Sequence, residues 1–218
     1  MKLKSSFAVA ATGLLLAAGQ ASADVITFDT LAPGTVVSSQ FPGVTFTPNA
    51  FAGAGSSTSG ADWATNTDMQ VVSATGPDVG GLGVPALVSG NLLHSFGNPP
   101  NTGGWLNEDG DPSFRVSFAN AVTSFSATFA GVSTASDVTM WAYNGATQIG
   151  TISGVAGGQF VLTLNGASIT SVVIRPGSFD DWVGVDNITF TPSVVPETST
   201  YAMMGLGLAL LAFRRRKA

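Results

Sequence analysis

The sequence predicts an all-β fold, an antiparallel β-sandwich, on three observations. Short runs rich in Val, Ile, Thr and Phe alternate apolar with polar residues. Gly, Pro, Asn and Asp separate these runs. Between the two ends of the chain, no segment repeats its apolar residues at the helical period.

The strands expected in order are Val25 to Asp29, Gly43 to Thr47, Phe114 to Phe118, Val122 to Ala130, Asp137 to Tyr143, Phe160 to Leu164, Ile169 to Arg175, and Trp182 to Phe190. In the fourth, Phe125, Ala127 and Phe129 fall on one face and Ser124, Ser126 and Thr128 on the other. A one-sided apolar face needs a second layer to cover it, hence a sandwich. Asn144-Gly145 and Asn165-Gly166 suit tight hairpins, because both residue types tolerate positive φ. The stretch from Asn49 to Gly110 is Gly-rich at both ends and reads as long surface loops. Thr191 to Pro196 is a proline-stiffened spacer.

The two ends carry signals rather than fold. Lys2 and Lys4 precede an apolar stretch, Phe7 to Ala18, that closes on Ala21-Ser22-Ala23. That is a signal-peptide helix, with cleavage by signal peptidase expected after Ala23. At the other end Val195-Pro196-Glu197-Thr198 precedes an apolar run, Tyr201 to Phe213, and then Arg214-Arg215-Arg216-Lys217. The run predicts a short hydrophobic helix below the roughly 20 residues that span a hydrocarbon core. The basic cluster belongs on the cytoplasmic face, which leaves everything upstream outside.

This C-terminal segment closely resembles the PEP-CTERM sorting signal of exported proteins in Gram-negative bacteria that make exopolysaccharide. Motif, apolar run and basic cluster stand in the family's order, with Thr198 where the family has proline. The resemblance covers Val195 to Lys217 and implies an exosortase, a membrane cysteine transpeptidase, as processing partner after the general export machinery. It implies a cell-envelope, cell-surface or extracellular-matrix location, transient anchoring by the C-terminal segment, and association with exopolysaccharide or biofilm. The body loosely resembles the jelly-roll-like sandwiches of that family, which open with a strand such as Ile26-Thr27-Phe28-Asp29. They close with one such as Gly184-Val185-Asp186-Asn187-Ile188-Thr189-Phe190. The expected organisation is a signal peptide over 1–23, an ectodomain over 24–191 and a sorting signal over 192–218.

Charge is distributed by region. Of eight Lys and Arg, only Arg115 and Arg175 lie outside the two signals, against thirteen carboxylates between Asp24 and Glu197, a net −11 there. Such a body repels nucleic acid, which is excluded as a partner, and attracts cations. The chain has no cysteine, so neither disulfides nor thiolate ligands contribute.

No cofactor is fixed by the sequence; calcium is the most defensible candidate, since hard oxygen ligands are what an acidic exported body offers. One candidate site joins Asp29, at the end of the first strand, to Asp186 and Asn187 near the last, so that one ion clamps both ends of the domain. A second is Asn107-Glu108-Asp109-Gly110-Asp111, whose glycine comes too early for an EF-hand loop. The same residue types also initiate turns.

Trp105, in a Gly-rich loop, and Trp182, after Asp180-Asp181, are candidate stacking residues for a glycan. Trp141 and Tyr143 share a strand face and read as packing. Catalysis has little to stand on. His94 is the sole histidine, no Gly-x-Ser-x-Gly elbow surrounds a serine, and Glu108, Asp109, Asp180 and Asp181 read as solvated loop carboxylates. The leading expectation is a non-enzymatic, sorted surface or matrix protein with a structural or interaction role. The alternative is a glycan-binding module using calcium.

Overall fold

Alternating Val, Ile, Phe and Thr give, among the described residues, nine strands in one continuous antiparallel ladder. The computed structural model describes residues 22–48, 69–74, 87–95, 113–132, 138–155, 158–176 and 183–193, with Gly205 and Gly207. Residues Ala21–Ser193 form one compact unit. Met1–Gln20 with Val194–Ala218 form another, of which only Gly205 and Gly207 are described, both helical. The signal helix and most of the C-terminal segment therefore lie outside the described residues. Among the described residues no helix is long and apolar enough to cross a membrane.

The strands are β1 (Asp24–Ile26), β2 (Val44–Pro48), β3 (Met69–Ser73), β4 (Asn91–Ser95), β5 (Phe114–Val132), β6 (Val138–Asn144), β7 (Thr147–Ser153), β8 (Gly158–Pro176) and β9 (Gly184–Pro192). β5 and β8 organise the rest, because each of their halves serves a different layer. The first half of β5 pairs with β2 and with the second half of β8, which continues to β6 and β7. The second half of β5 pairs with the first half of β8 and with β9. The other edge of β9 carries β4 and then β1, and β3 lies beyond β4.

A change of phase makes this folding-over possible. Phe114 and Val116 point into the core from even positions of β5, whereas Phe125, Ala127 and Phe129 do so from odd ones. Side chains alternate strictly along a strand, so the switch needs an irregularity. The β5–β8 register supplies it between Ser117 and Ser124. Apolar residues of both layers then meet in one core, in which Phe28 contacts Phe46 edge-on at 6.2 Å and Phe118 meets Phe190 at 5.2 Å. The expected all-β sandwich is what the chain forms.

Several details differ from expectation. Asn165-Gly166 turns no hairpin but lies inside β8, opposite the β5 irregularity, where the extra residues are absorbed as a bulge. The stretch from Asn49 to Gly110 is not loop throughout, since it supplies β3 and β4. The outer edge of β3 is closed in turn by the chain at 34–37, through Gly34 N–H to Val71 O at 2.7 Å and Val37 N–H to Met69 O at 2.8 Å. β7, missing from the strands expected, follows β6 through the tight hairpin that Asn144-Gly145 predicts, with Gly145-Ala146 as its two turn residues and Gly145 at φ 59°. The first strand stops at Ile26, because Phe28 begins a turn whose carbonyl accepts the Leu31 N–H at 3.0 Å. Asp29 therefore stands in that turn and not at a strand end.

Candidate cation site

The edge of β9 is shared by two strands that meet end to end. β4 pairs at its beginning, Leu93 with Val185 and His94 with Gly184, and β1 pairs further on, Ile26 with Ile188. At the junction β9 carries Asp186 and Asn187, and its register with β5 slips there, Ser126 facing Thr189 but Thr128 facing Asp186. Asn187 absorbs the extra residue with a left-handed backbone, φ 49°, a conformation that Asn tolerates better than most residues. Asp186 and Asn187 stand at this slip, where the turn after β1 and the segment leading into β4 approach β9.

From the first segment, Asp29 Oδ1 accepts the backbone N–H of Asn91 at 2.8 Å, while Asn91 Nδ2 donates to Leu31 O at 2.8 Å. Between them stands Gly90, at φ 71°, where any side chain would overlap the Asp29 carboxylate. From the second, the carbonyl of Leu87 accepts from Asn187 Nδ2 at 3.0 Å. The same Nδ2 lies 3.3 Å from Asp186 Oδ2.

Asp186 is 2 % exposed, and its Oδ1 has no hydrogen-bond partner. A buried carboxylate oxygen left unpaired is costly. Burial pushes the Asp186 carboxyl up to about 6, and the Asp29 charge adds to the rise. Hydrogen bonds from the backbone amides of Asn187 and Ser89 oppose it. A buried carboxylate beside a second, exposed one is an arrangement that a divalent ion would relieve.

Asp29, Asp186 and Asn187, the three ligands expected from sequence, are thus brought together. Among the described residues no three His, Cys, Asp or Glu converge to hold a metal ion. The corner has two carboxylates, Asp29 and Asp186, with amide and carbonyl oxygens beside them, the oxygen chemistry that a hard cation such as calcium would take. Among these nearby oxygens the carbonyls of Leu87 and Leu31 have no sequence signal, because a carbonyl reveals nothing of itself in the side-chain pattern.

The other candidates fare differently. Trp105, Trp182, the loop from Asn107 to Asp111, Ala21, and the motif Val195, Pro196, Glu197 and Thr198 lie outside the described residues. Ala23 is described and exposed. His94 stands on β4, 2 % exposed, and burial lowers its pKa to about 3, so it is neutral near pH 7.

Trp141 and Tyr143 do not face the core. They occupy the outer side of β6, opposite Met140 and Ala142, and are half-buried. Arg115 lies over the Tyr143 ring at 4.9 Å and Arg175 over Trp141 at 6.0 Å.

No known protein family matches the chain, and no curated protein does. Among solved structures, the crystal structure of the K2 cleaved adhesin domain of Lys-gingipain superposes with a TM-score of 0.45 at 14 % identity, over 78 % of this chain and 99 % of that one.

Proposed function

We propose that the chain is an exported β-sandwich, sorted by an exosortase through Val195 to Thr198, that serves a structural or interaction role at the cell surface or in the exopolysaccharide matrix of a Gram-negative bacterium. In this reading calcium, held by Asp29, Asp186 and Asn187, closes the domain by tying the first strand to the last.

The observation that carries the reading is the buried, unpartnered Oδ1 of Asp186 beside Asp29. A pair of carboxylates completed by neutral oxygens makes a weak calcium site, and weak sites fill where calcium is abundant, outside the cell. The signal-like ends and the net −11 between them support the same destination. The protein has no thiol chemistry to offer, and its one histidine is buried and uncharged.

The test is intact-mass analysis of the mature protein recovered from cells with and without the exosortase, beside a Pro196→Ala/Glu197→Ala variant. Loss of the tail near Thr198 only when enzyme and motif are both present supports sorting. A tail that stays whole in every case removes the sorting reading and leaves the cation site to be judged on its own.

A further inference from the structure

The two layers are tied together along one side of the domain. There the chain at 34–38 bonds to the edge strand of each, Gly34 N–H donating to Val71 O of β3 and Phe46 N–H of β2 donating to Ser38 O, both at 2.7 Å. On the other side β7 ends one layer and the first half of β8 ends the other, and among the described residues no backbone hydrogen bond joins them.

The first half of β8 is a regular strand with one edge in use. Gln159 to Leu164 pair without a break with Ala130 to Phe125, and β6 takes up the opposite edge of β8 only from Ser171 onward. Among the described residues no backbone group bonds to that opposite edge between Gly158 and Leu164. Such an edge is a template for a further strand, and folds commonly guard it with charge, proline or a bulge. β7 carries a bulge in its pairing with β6. From Gln159 to Leu164 β8 has none of these guards, because the whole stretch from Val138 to Ile174 contains neither a charged residue nor a proline.

That stretch belongs to a body with thirteen carboxylates and a net charge of −11. Two such bodies repel each other across most of their surface, and a charge-free edge is where they meet at least electrostatic cost. The edge is also self-complementary. In an antiparallel two-fold centred on Val161, that residue faces the partner's Val161, Gln159 faces the partner's Thr163 and Phe160 faces the partner's Leu162. Val161 lies on the outer face, 52 % exposed, between Gln159 and Thr163, whereas Phe160 and Leu162 pack with the core. Apolar residues thus meet apolar ones on both faces, and the polar pair meets across the strand.

We propose that the edge of β8 from Gln159 to Thr163 pairs with the same edge of a second copy of this chain. The result is a symmetric dimer in which the β3–β4–β9–β5–β8 layers of both copies run on as one sheet. With the opposite side of each domain closed by residues 34–38, the assembly stops at two. This goes beyond the sorting and calcium readings and rests on neither.

The test is sedimentation equilibrium of the full mature chain over a range of concentrations, in millimolar calcium and in chelator. A reversible dimer is expected in both, since β5 separates this edge from Asp186 on β9. Val161→Lys sets like charges opposite each other and should weaken the dimer by about tenfold or more. Val25→Lys, at a position on β1 that is 58 % exposed, should leave it unchanged. The chain has no cysteine, so one introduced thiol reads the contact directly. Facing residues of an antiparallel pair stand about 4.5–5.5 Å apart at Cα, within reach of a disulfide. Oxidised glutathione should therefore join Val161→Cys chains into covalent dimers and fail to join Val25→Cys chains. An unchanged thermal midpoint checks that each variant is folded. A wild type that is monomeric at every concentration, association only in calcium, a dimer that Val161→Lys leaves intact, or cross-linking of Val25→Cys as fast as of Val161→Cys would overturn the proposal.

Discussion

Asp29 accepts a hydrogen bond from the backbone of Asn91, 2.8 Å away and 62 residues later in the chain. This contact draws the turn after β1 against the entry to β4, at the point of β9 where the backbone slips and Asp186 stands opposite Thr128, on the face away from Phe129 and Val185. The bulge, the left-handed Asn187 and the close approach at Gly90 are thus one local arrangement.

Asp186→Asn should separate the two roles of this corner. The amide removes the burden of a buried charge, so the calcium-free variant should be more stable than calcium-free wild type by about 1–3 kcal/mol at pH 7.5. It should also lose most of the stabilisation by calcium, which needs the carboxylate. Thermal unfolding of both proteins, with calcium and with chelator, reads each effect.

The pH dependence of that difference has a definite sign. Below about pH 4 Asp186 is protonated in both folded and unfolded chains. Between about 4 and 6 the folded chain keeps a proton that the unfolded one has released, so calcium-free stability contributed by this group falls as pH rises, and it levels off above 6. The advantage of Asp186→Asn should therefore open across this window by about 1.4 kcal/mol per pH unit at its steepest. Urea unfolding at pH 4, 5, 6 and 7 measures it, and a constant difference would contradict the assignment.

His94 works in the opposite sense. Its folded pKa lies near 3, below the ordinary 6.5, so the unfolded chain binds the proton first as pH falls. Stability from this group is present above about 6.5 and is lost progressively towards pH 3. In the Asp186→Asn background, where the opposing slope is gone, unfolding free energy should decline steadily from pH 6.5 to 4.

Gly90→Ala should cost about 2 kcal/mol or more. The φ of 71° alone costs a residue with a Cβ about 1 kcal/mol, and the added methyl must displace the Asp29 carboxylate. Gly34→Ala is the control. Its φ of 87° is as strained, yet nothing lies within 4 Å of the added carbon, so it should cost less and leave any calcium response unchanged. Urea titrations of both variants give the comparison.

Phe129→Ala, by contrast, tests core packing, on the opposite face of β5 from the Thr128 that stands across from Asp186. The ring is fully buried and packs against Phe160 at 5.8 Å, so its loss should cost about 3–5 kcal/mol with or without calcium.

The sequence reading was strongest where one face of a strand is buried and the other wet, as in the stretch around Phe125, Ala127 and Phe129. It failed where that contrast is absent. β4 carries Leu92 and Leu93 side by side because each enters a different apolar cluster, and Val71 and Val72 of β3 do the same, so neither strand alternates. β7 is largely exposed along its length and shows no apolar face. β5 and β8 read as two strands each, because Ala119-Asn120-Ala121 and Asn165-Gly166 look like turns when they are opposed irregularities within long strands.

The closeness of Asp29 to Asp186 and Asn187 was legible because they belong to the first and last strands of the domain or the turn beside them, and those strands pair. The stacking of Arg115 on Tyr143 and of Arg175 on Trp141 was not. Arg115 and Arg175 become neighbours only through the pairing of β5 with β8, and the outward turn of Trp141 follows from which side of β6 meets the core.

Calcium titration of the thermal midpoint of the mature wild-type chain at pH 7.5, with Asp29→Asn and Asp186→Asn beside it, tests the central claim most directly. At a calcium concentration a hundred times the dissociation constant, stabilisation should reach about 2.7 kcal/mol. For a domain of this size that is a rise of roughly 5–10 °C. Both variants should respond weakly or not at all. A wild-type midpoint that stays fixed up to several millimolar calcium, or variants that rise as far as the wild type, would contradict the assignment of a calcium clamp between the first and last strands.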